Sequence, residues 1–137
     1  MDEAFTNPTT AVVAADPPIL RTFLDYAKAF ETLNPSVVLP FYQYPAILIT
    51  EQKPVRLTNH LCGWMAFGFA MLTLKLRGYH YGKTESLEVR QLRDDLAIVT
   101  GTVIRYKKDG CELERFDLNY TMRQVNSHWK IIVGVLL

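Results

Sequence analysis

The second half of the chain alternates between apolar and polar residues over four long segments. The alternation begins at Tyr79 and is interrupted by short polar turns, and one of these, Asp109-Gly110, is the residue pair typical of a tight hairpin. A period of two places apolar side chains on one face of a β-sheet and polar side chains on the other. Segments joined by such short turns pair antiparallel. We predict four strands, over residues 79–93, 96–107, 111–125 and 128–137.

The last of these strands has little polar character on either face. Its sequence runs Trp129-Lys-Ile-Ile-Val-Gly-Val-Leu-Leu137. Since a sheet face exposed to water is normally polar, we expect this strand to lie inside the sheet or to be covered by another subunit.

The first half of the chain predicts two long helices. Asp16, followed by Pro17 and Pro18, is a helix start, and Asn34-Pro35 ends the apolar helical pattern that follows. The second helix is capped by Thr58 or Asn59, ends at Gly78 and is apolar almost all round, so we expect it to be covered on most sides. Between them we predict a helical turn over 37–42 and strands over 46–50 and 55–57.

Helices on one face of an antiparallel sheet define an α+β domain. A strongly curved sheet wrapped around a long helix forms a cone, and a cone leaves room for a cavity. We predict one such domain over residues 16–137, preceded by a flexible N-terminal arm over 1–15.

Charge and composition exclude several classes of partner. The 137 residues include 15 basic and 14 acidic side chains, a net charge of +1, which argues against nucleic acid as a main partner. The uncharged stretch 57–74 opens with polar residues and contains two glycines, so its apolar part is too short to span a membrane. Two isolated cysteines and an N-terminus without a basic start or apolar core favour a soluble, cytoplasmic protein.

Several segments resemble the nuclear transport factor 2-like superfamily, also called SnoaL-like, which has a cystatin-like α+β fold. The resemblance covers residues 17–137. It implies a cone-shaped, curved antiparallel sheet wrapped around helices, with a pocket between them, and in this superfamily the fold alone does not determine function. The segments that carry it are 23–27, 34–36, 41–45, 96–101, 105–110, 120–123 and 128–131.

The ketosteroid isomerases of this superfamily imply roles for certain positions. Their general base corresponds here to Ile49 or Thr50, neither of which is a base, and their second acid corresponds to Tyr120. Their oxyanion tyrosine is matched by Tyr26, sixteen residues before Tyr42. The resemblance therefore implies hydrogen-bond donors without a base, which argues against isomerase chemistry.

Dehydratase and cyclase members use histidine–aspartate pairs, which makes His60, with Tyr26 or Tyr120, the candidate catalytic set. The three histidines have no metal-ligand spacing, and no carboxylate accompanies them in a recognisable pattern. We predict no metal site and no cofactor. Arg105 has two interpretations, an anchor for a ligand carboxylate or an ion pair with Glu114, and we favour the ion pair.

We predict that the cone binds an apolar or aromatic small molecule. The alternatives are a dehydratase-, cyclase- or isomerase-type enzyme and a pure protein-association domain with a filled core. The predicted pocket residues are Tyr26, Phe30, Trp64, Phe67, Phe116, Leu118 and Tyr120.

The polar face of the third long strand carries charges of both signs, so it can pair with a copy of itself about a two-fold axis. We therefore predict a homodimer through the outer face of the sheet, where this row comprises Arg115, Asp117, Asn119, Thr121 and Arg123.

Overall fold

The computed structural model describes residues 17–137, and the predicted arm 1–15 lies outside the described residues. Three helices, one 3-10 turn and six strands follow one another along this part of the chain. They are α1 (Pro17–Phe30), α2 (Pro35–Val38), the 3-10 turn (Leu39–Phe41), β1 (Tyr42–Ile49), β2 (Val55–Leu57), α3 (His60–Leu76), β3 (Tyr79–Arg93), β4 (Leu96–Lys107), β5 (Glu112–Val125) and β6 (His128–Leu136).

The six strands form one curved sheet in the order β2-β1-β6-β5-β4-β3. The strands from β3 to β6 make an antiparallel meander, whereas β1 pairs with β6 in parallel. The predicted α+β class is confirmed. The interior position expected for the last strand is also confirmed, since β6 has a hydrogen-bonded neighbour on each side.

Two turns show why the meander folds back where it does. Asn126 and Ser127 join β5 to β6 with φ angles of 51° and 68°, the left-handed pair of a two-residue hairpin that matches the twist of the strands. Gly110 has a φ of 89° between β4 and β5, a conformation that costs glycine little because it has no Cβ.

Helix α3 begins at a side-chain cap. Asn59 is the N-cap, and its Oδ1 accepts a hydrogen bond from the backbone N–H of Cys62 at 2.8 Å. Four residues of the helix are buried, Gly63, Phe67, Met71 and Leu74, and their spacing of three or four residues places them on one face.

The opposite face of α3 is uncovered. Its large apolar side chains recur every three or four residues and are 55% to 79% exposed, so the expectation of a helix covered on most sides is wrong for the chain as described here. We call these residues the outer stripe of α3: Leu61, Met65, Phe69, Leu72 and Leu76. Over residues 17–137, no helix is both long enough and apolar enough to cross a membrane.

Candidate functional site

A cavity of about 710 Å³ lies between the concave face of the sheet and the helices. All three layers contribute to its wall: α1, α3 and the inward-facing residues of the strands. Several of its residues are also exposed to solvent, including Leu24 and Lys28 on α1, Phe69 on α3 and Lys83 on β3. The cavity is therefore open to solvent.

Three tyrosines form a phenol cluster in the wall of the cavity: Tyr26 from α1, Tyr42 from β1 and Tyr120 from β5. The hydroxyls of Tyr26 and Tyr42 are 2.7 Å apart, and the Tyr120 ring centroid lies 5.9 Å from that of Tyr26. Burial raises the pKa of each phenol above its usual value of 10.0. All three are therefore protonated hydrogen-bond donors at neutral pH.

Gly134 provides the space that Tyr120 occupies. It pairs with Tyr120 across β5 and β6 and with Leu48 across β1 and β6. A Cβ at Gly134 would lie 2.9 Å from Cδ2 of Leu48 and 3.1 Å from Cε1 of Tyr120. Because both distances are shorter than ordinary contacts, a side chain here would displace the Tyr120 ring.

An arginine is held against aromatic rings in another part of the wall. The Cζ atom of Arg105 lies 5.1 Å from the ring centroid of Phe30 and 4.7 Å from that of Phe116. Its Nη1 donates to Oε2 of Glu114 at 2.6 Å, which confirms the favoured ion pair. Arg105 nevertheless also lines the cavity, as the other interpretation required.

Glu114 joins two arginines of the cavity wall. Its Oε1 lies 3.1 Å from Nη1 of Arg77, and its Oε2 bonds to Arg105. Partial burial by itself raises the pKa of this carboxyl, but the hydrogen bonds and charges of Arg105 and Arg77 outweigh burial and hold the pKa below its usual value of 4.5. Glu114 is therefore ionised at neutral pH.

The structure brings most of the predicted pocket residues to the cavity. Trp64 is the exception: it is 47% exposed and does not line the cavity, so its assignment to the pocket is wrong. The reason is its position on α3, one residue and about 100° of rotation beyond the buried Gly63. The residues that do line the cavity are Tyr26, Phe30, Phe67, Phe116, Leu118 and Tyr120.

The structure does not bring the candidate catalytic residues, His60 with Tyr26 or Tyr120, together. His60 is the exposed first residue of α3 and does not line the cavity, where Tyr26 and Tyr120 lie. Thr50, at one of the positions implied for an isomerase base, lines the cavity, whereas Ile49 does not. Among the described residues of the lining, Glu31 is the one carboxylate, and there is no histidine.

No group of three or more His, Cys, Asp or Glu side chains within residues 17–137 is arranged to hold a metal ion. Both cysteines, Cys62 and Cys111, are free thiols.

The predicted dimer residues lie on the sheet face opposite the cavity. They alternate along β5 with the cavity residues Phe116, Leu118 and Tyr120. Arg115, Asp117 and Arg123 are exposed, and Asn119 and Thr121 are half-buried. The Oγ1 of Thr102 on β4 donates to Oδ1 of Asp117 at 2.8 Å on the same face.

Tyr42 is a cavity residue that the sequence pattern did not predict. It lines the cavity together with Leu48 of the same strand, and its residue type matches that of Tyr26. The strand was expected to begin at residue 46, so this position was assigned to a helical turn instead.

Known structures share this fold at low sequence identity. An 1.80 Å crystal structure of a protein of unknown function with a cystatin-like fold from Nostoc punctiforme is 12% identical, with a TM-score of 0.73 over 87% of this chain and 86% of that one. A putative aromatic ring hydroxylase from Novosphingobium aromaticivorans is 17% identical, with a TM-score of 0.67 over 87% and 85%.

A putative calcium/calmodulin dependent protein kinase II association domain from Xanthomonas campestris is 20% identical, with a TM-score of 0.61 over 87% of this chain and 85% of that one. Since proteins with different functional descriptions share this one architecture, the likeness concerns the fold alone. No curated protein matches the chain in sequence.

A family model described as "NTF2-like protein (DUF6841)" matches residues 15–136. This match covers nearly the whole chain and confirms the resemblance drawn from the sequence segments. The chain belongs to the NTF2-like protein family DUF6841.

Proposed function

We propose that this protein binds an apolar, aromatic small molecule in its cavity. The observation that carries the proposal is the cavity of about 710 Å³, whose volume falls within the range of about 300–1,000 Å³ typical of small-molecule sites. Its wall includes the aromatic side chains Phe23, Phe30, Phe67 and Phe116, which offer edges and faces to a planar ligand.

The phenol cluster can orient the ligand in the cavity by hydrogen bonding. The three hydroxyls of the cluster are close enough to hydrogen-bond to one another, and a ligand oxygen that reaches them can accept one of their protons instead. A carbonyl or hydroxyl oxygen of the ligand placed at Tyr120 would accept such a hydrogen bond.

The geometry favours binding over the alternatives. A dehydratase or cyclase using His60 would need that side chain within hydrogen-bond reach of the ligand, and His60 lies outside the cavity lining. A pure association domain with a filled core does not account for a cavity of this volume.

The proposal is tested by fluorescence titration with N-phenyl-1-naphthylamine, a neutral aromatic probe. Val103 lines the cavity from β4, so Val103→Trp fills part of the space. We expect Val103→Trp to weaken binding by about tenfold or more, since every 1.4 kcal/mol of lost contact is a factor of ten. The matched control is Tyr106→Trp, on the same strand but not in the cavity wall, which should bind as the wild type does.

Equal affinity in the wild type and in a folded Val103→Trp variant would contradict the proposal. Circular dichroism and the thermal unfolding midpoint of both variants establish that they are folded.

We also propose that the protein is a homodimer through the outer face of the sheet. Beside the mixed charges of β5 this face carries an apolar patch, because Ile47 and Ile49 of β1 pair with Val133 and Val135 of β6. An apolar patch beside polar residues of both charge signs suits a two-fold interface, in which one surface meets a copy of itself. The two free thiols are in keeping with the proposed cytoplasmic location.

A further inference from the structure

We infer that the ligand is an anion: an aromatic carboxylic acid whose carboxylate binds Arg105 and whose second oxygen binds the phenol cluster. This inference rests on the proposed function, since it names the chemical class of the molecule held in the same cavity. Three independent observations support it: the unused donors of Arg105, the charges of the lining and the distance from Arg105 to the phenol cluster.

Arg105 has N–H donors that no described residue accepts from. A guanidinium group carries five N–H donors, and within the described residues Arg105 donates one hydrogen bond, from Nη1 to Glu114. Its side chain is 15% exposed and lines the cavity. Phe30 and Phe116 hold the group from two sides, so little conformational entropy remains to be lost when a ligand binds.

The lining has an excess of positive charge. Arg77 and Arg105 share the single carboxylate of Glu114, which leaves one positive charge uncompensated in this group. Elsewhere the described lining carries Lys28, the carboxylate Glu31, and Lys83, whose Nζ lies 3.9 Å from Oε2 of Glu85. The excess is therefore the one positive charge of the arginine pair. An anionic ligand would neutralise this excess, whereas a cation would add to it.

The guanidinium of Arg105 and the phenol cluster lie close enough for one small molecule to reach both. The Phe30 ring lies 5.1 Å from Cζ of Arg105 and 6.5 Å from the ring of Tyr26, so the guanidinium and that phenol ring are at most about 12 Å apart. An acid with one aromatic ring between its carboxylate and a carbonyl oxygen can reach both groups within this limit, whereas a neutral hydrocarbon would leave the remaining N–H donors of Arg105 without an acceptor.

The test compares two probes that share the same ketone: 4-benzoylbenzoate, which has a carboxylate, and 4-methylbenzophenone, which has none. Isothermal titration calorimetry on the full chain gives both affinities. We expect the wild type to bind the carboxylate probe about tenfold or more tightly than the neutral one.

Arg105→Met keeps the length and apolar contacts of the side chain and removes its charge. We expect it to weaken binding of 4-benzoylbenzoate by about 10- to 100-fold and to leave the affinity for 4-methylbenzophenone within about twofold. Glu114→Gln removes the acid that competes for Arg105, so this variant should bind 4-benzoylbenzoate more tightly than the wild type does.

The two proposals fail in distinguishable ways. If neither probe binds the wild type, the proposed cavity function is contradicted and the anion inference with it. If both probes bind equally and the affinity ratio is the same in Arg105→Met, the anion inference is overturned while the cavity function stands. An Arg105→Met variant that loses both probes equally would show that Arg105 acts through packing, which also overturns the inference.

Discussion

At the scale of single residues, the cavity depends on a position that has no side chain. Gly134 lies in the interior strand β6, where the Tyr120 ring and Leu48 approach it from the two neighbouring strands. The phenol cluster is therefore positioned partly by the absence of a Cβ at Gly134, a requirement that local hydrophobic patterns do not reveal.

Gly134→Ala should lower the free energy of unfolding by about 1–3 kcal/mol, because the added methyl would lie 2.9 Å from Cδ2 of Leu48 and 3.1 Å from Cε1 of Tyr120 and so overpack this site. It should also weaken binding of N-phenyl-1-naphthylamine, since Tyr120 must move to admit the methyl group. Urea denaturation and fluorescence titration measure the two effects.

Gly68→Ala is the matched control for this substitution. Gly68 lies within α3, and the nearest atom that its Cβ would meet is Cγ of Pro35 at 3.9 Å, an ordinary contact. Replacing a helical glycine without a clash should raise the free energy of unfolding by about 0.5–1 kcal/mol. A Gly134→Ala variant as stable as the wild type would show that the sheet relaxes around the methyl group without cost.

At the scale of secondary structure, the start of α3 is fixed by one side chain. Thr58 and Asn59 were equal candidates in the sequence, and the structure selects Asn59, which caps the N–H of Cys62. Asn59→Ala should lower the free energy of unfolding by about 1 kcal/mol, as measured by urea denaturation. Thr58→Ala should change the free energy of unfolding little. A larger loss of stability in Thr58→Ala than in Asn59→Ala would contradict the assignment of Asn59 as the cap.

Most element boundaries could be predicted from the sequence because local rules determine them. The strands after residue 79 follow from a period of two and from turn residues, and α3 from its cap and Gly78. The start of β1 at Tyr42 was missed because Pro40 and Pro45 interrupt the apolar pattern. The parallel pairing of β1 with β6 joins strands that lie about eighty residues apart, and no local signal encodes it.

The candidate site was less predictable than the fold, and α3 shows why. When a helix is apolar on all sides, its sequence does not show which of its faces is buried. Trp64 was placed in the pocket for this reason, and the outer stripe of α3 was expected to be covered. By contrast, Phe116, Leu118 and Tyr120 do line the cavity, because alternation along β5 indicates which residues share a face.

At the scale of the whole molecule, two apolar surfaces compete as the dimer interface: the outer face of the sheet and the outer stripe of α3. Ile49→Glu, at a position 37% exposed on the sheet face, should convert the proposed dimer to a monomer, because the two-fold axis places two buried charges in one interface. Size-exclusion chromatography with light scattering measures the molecular mass. Leu72→Glu, on the outer stripe, is the control and should remain dimeric.

A wild-type monomer at working concentration would contradict the proposed dimer. A dimer that Leu72→Glu disrupts and Ile49→Glu does not would assign the interface to α3 instead.

The central claim is that the aromatic ligand enters the cavity and not an exposed apolar surface. Photolabelling with 4-methylbenzophenone tests it directly, because the excited ketone forms a covalent bond with whatever side chain lies beside it, and mass spectrometry of the peptides locates that bond. We predict labels on cavity residues such as Phe23, Phe116 and Leu118, and their loss in Val103→Trp. Labels confined to Leu61, Met65 and Leu76 of the outer stripe, unchanged in Val103→Trp, would contradict the claim.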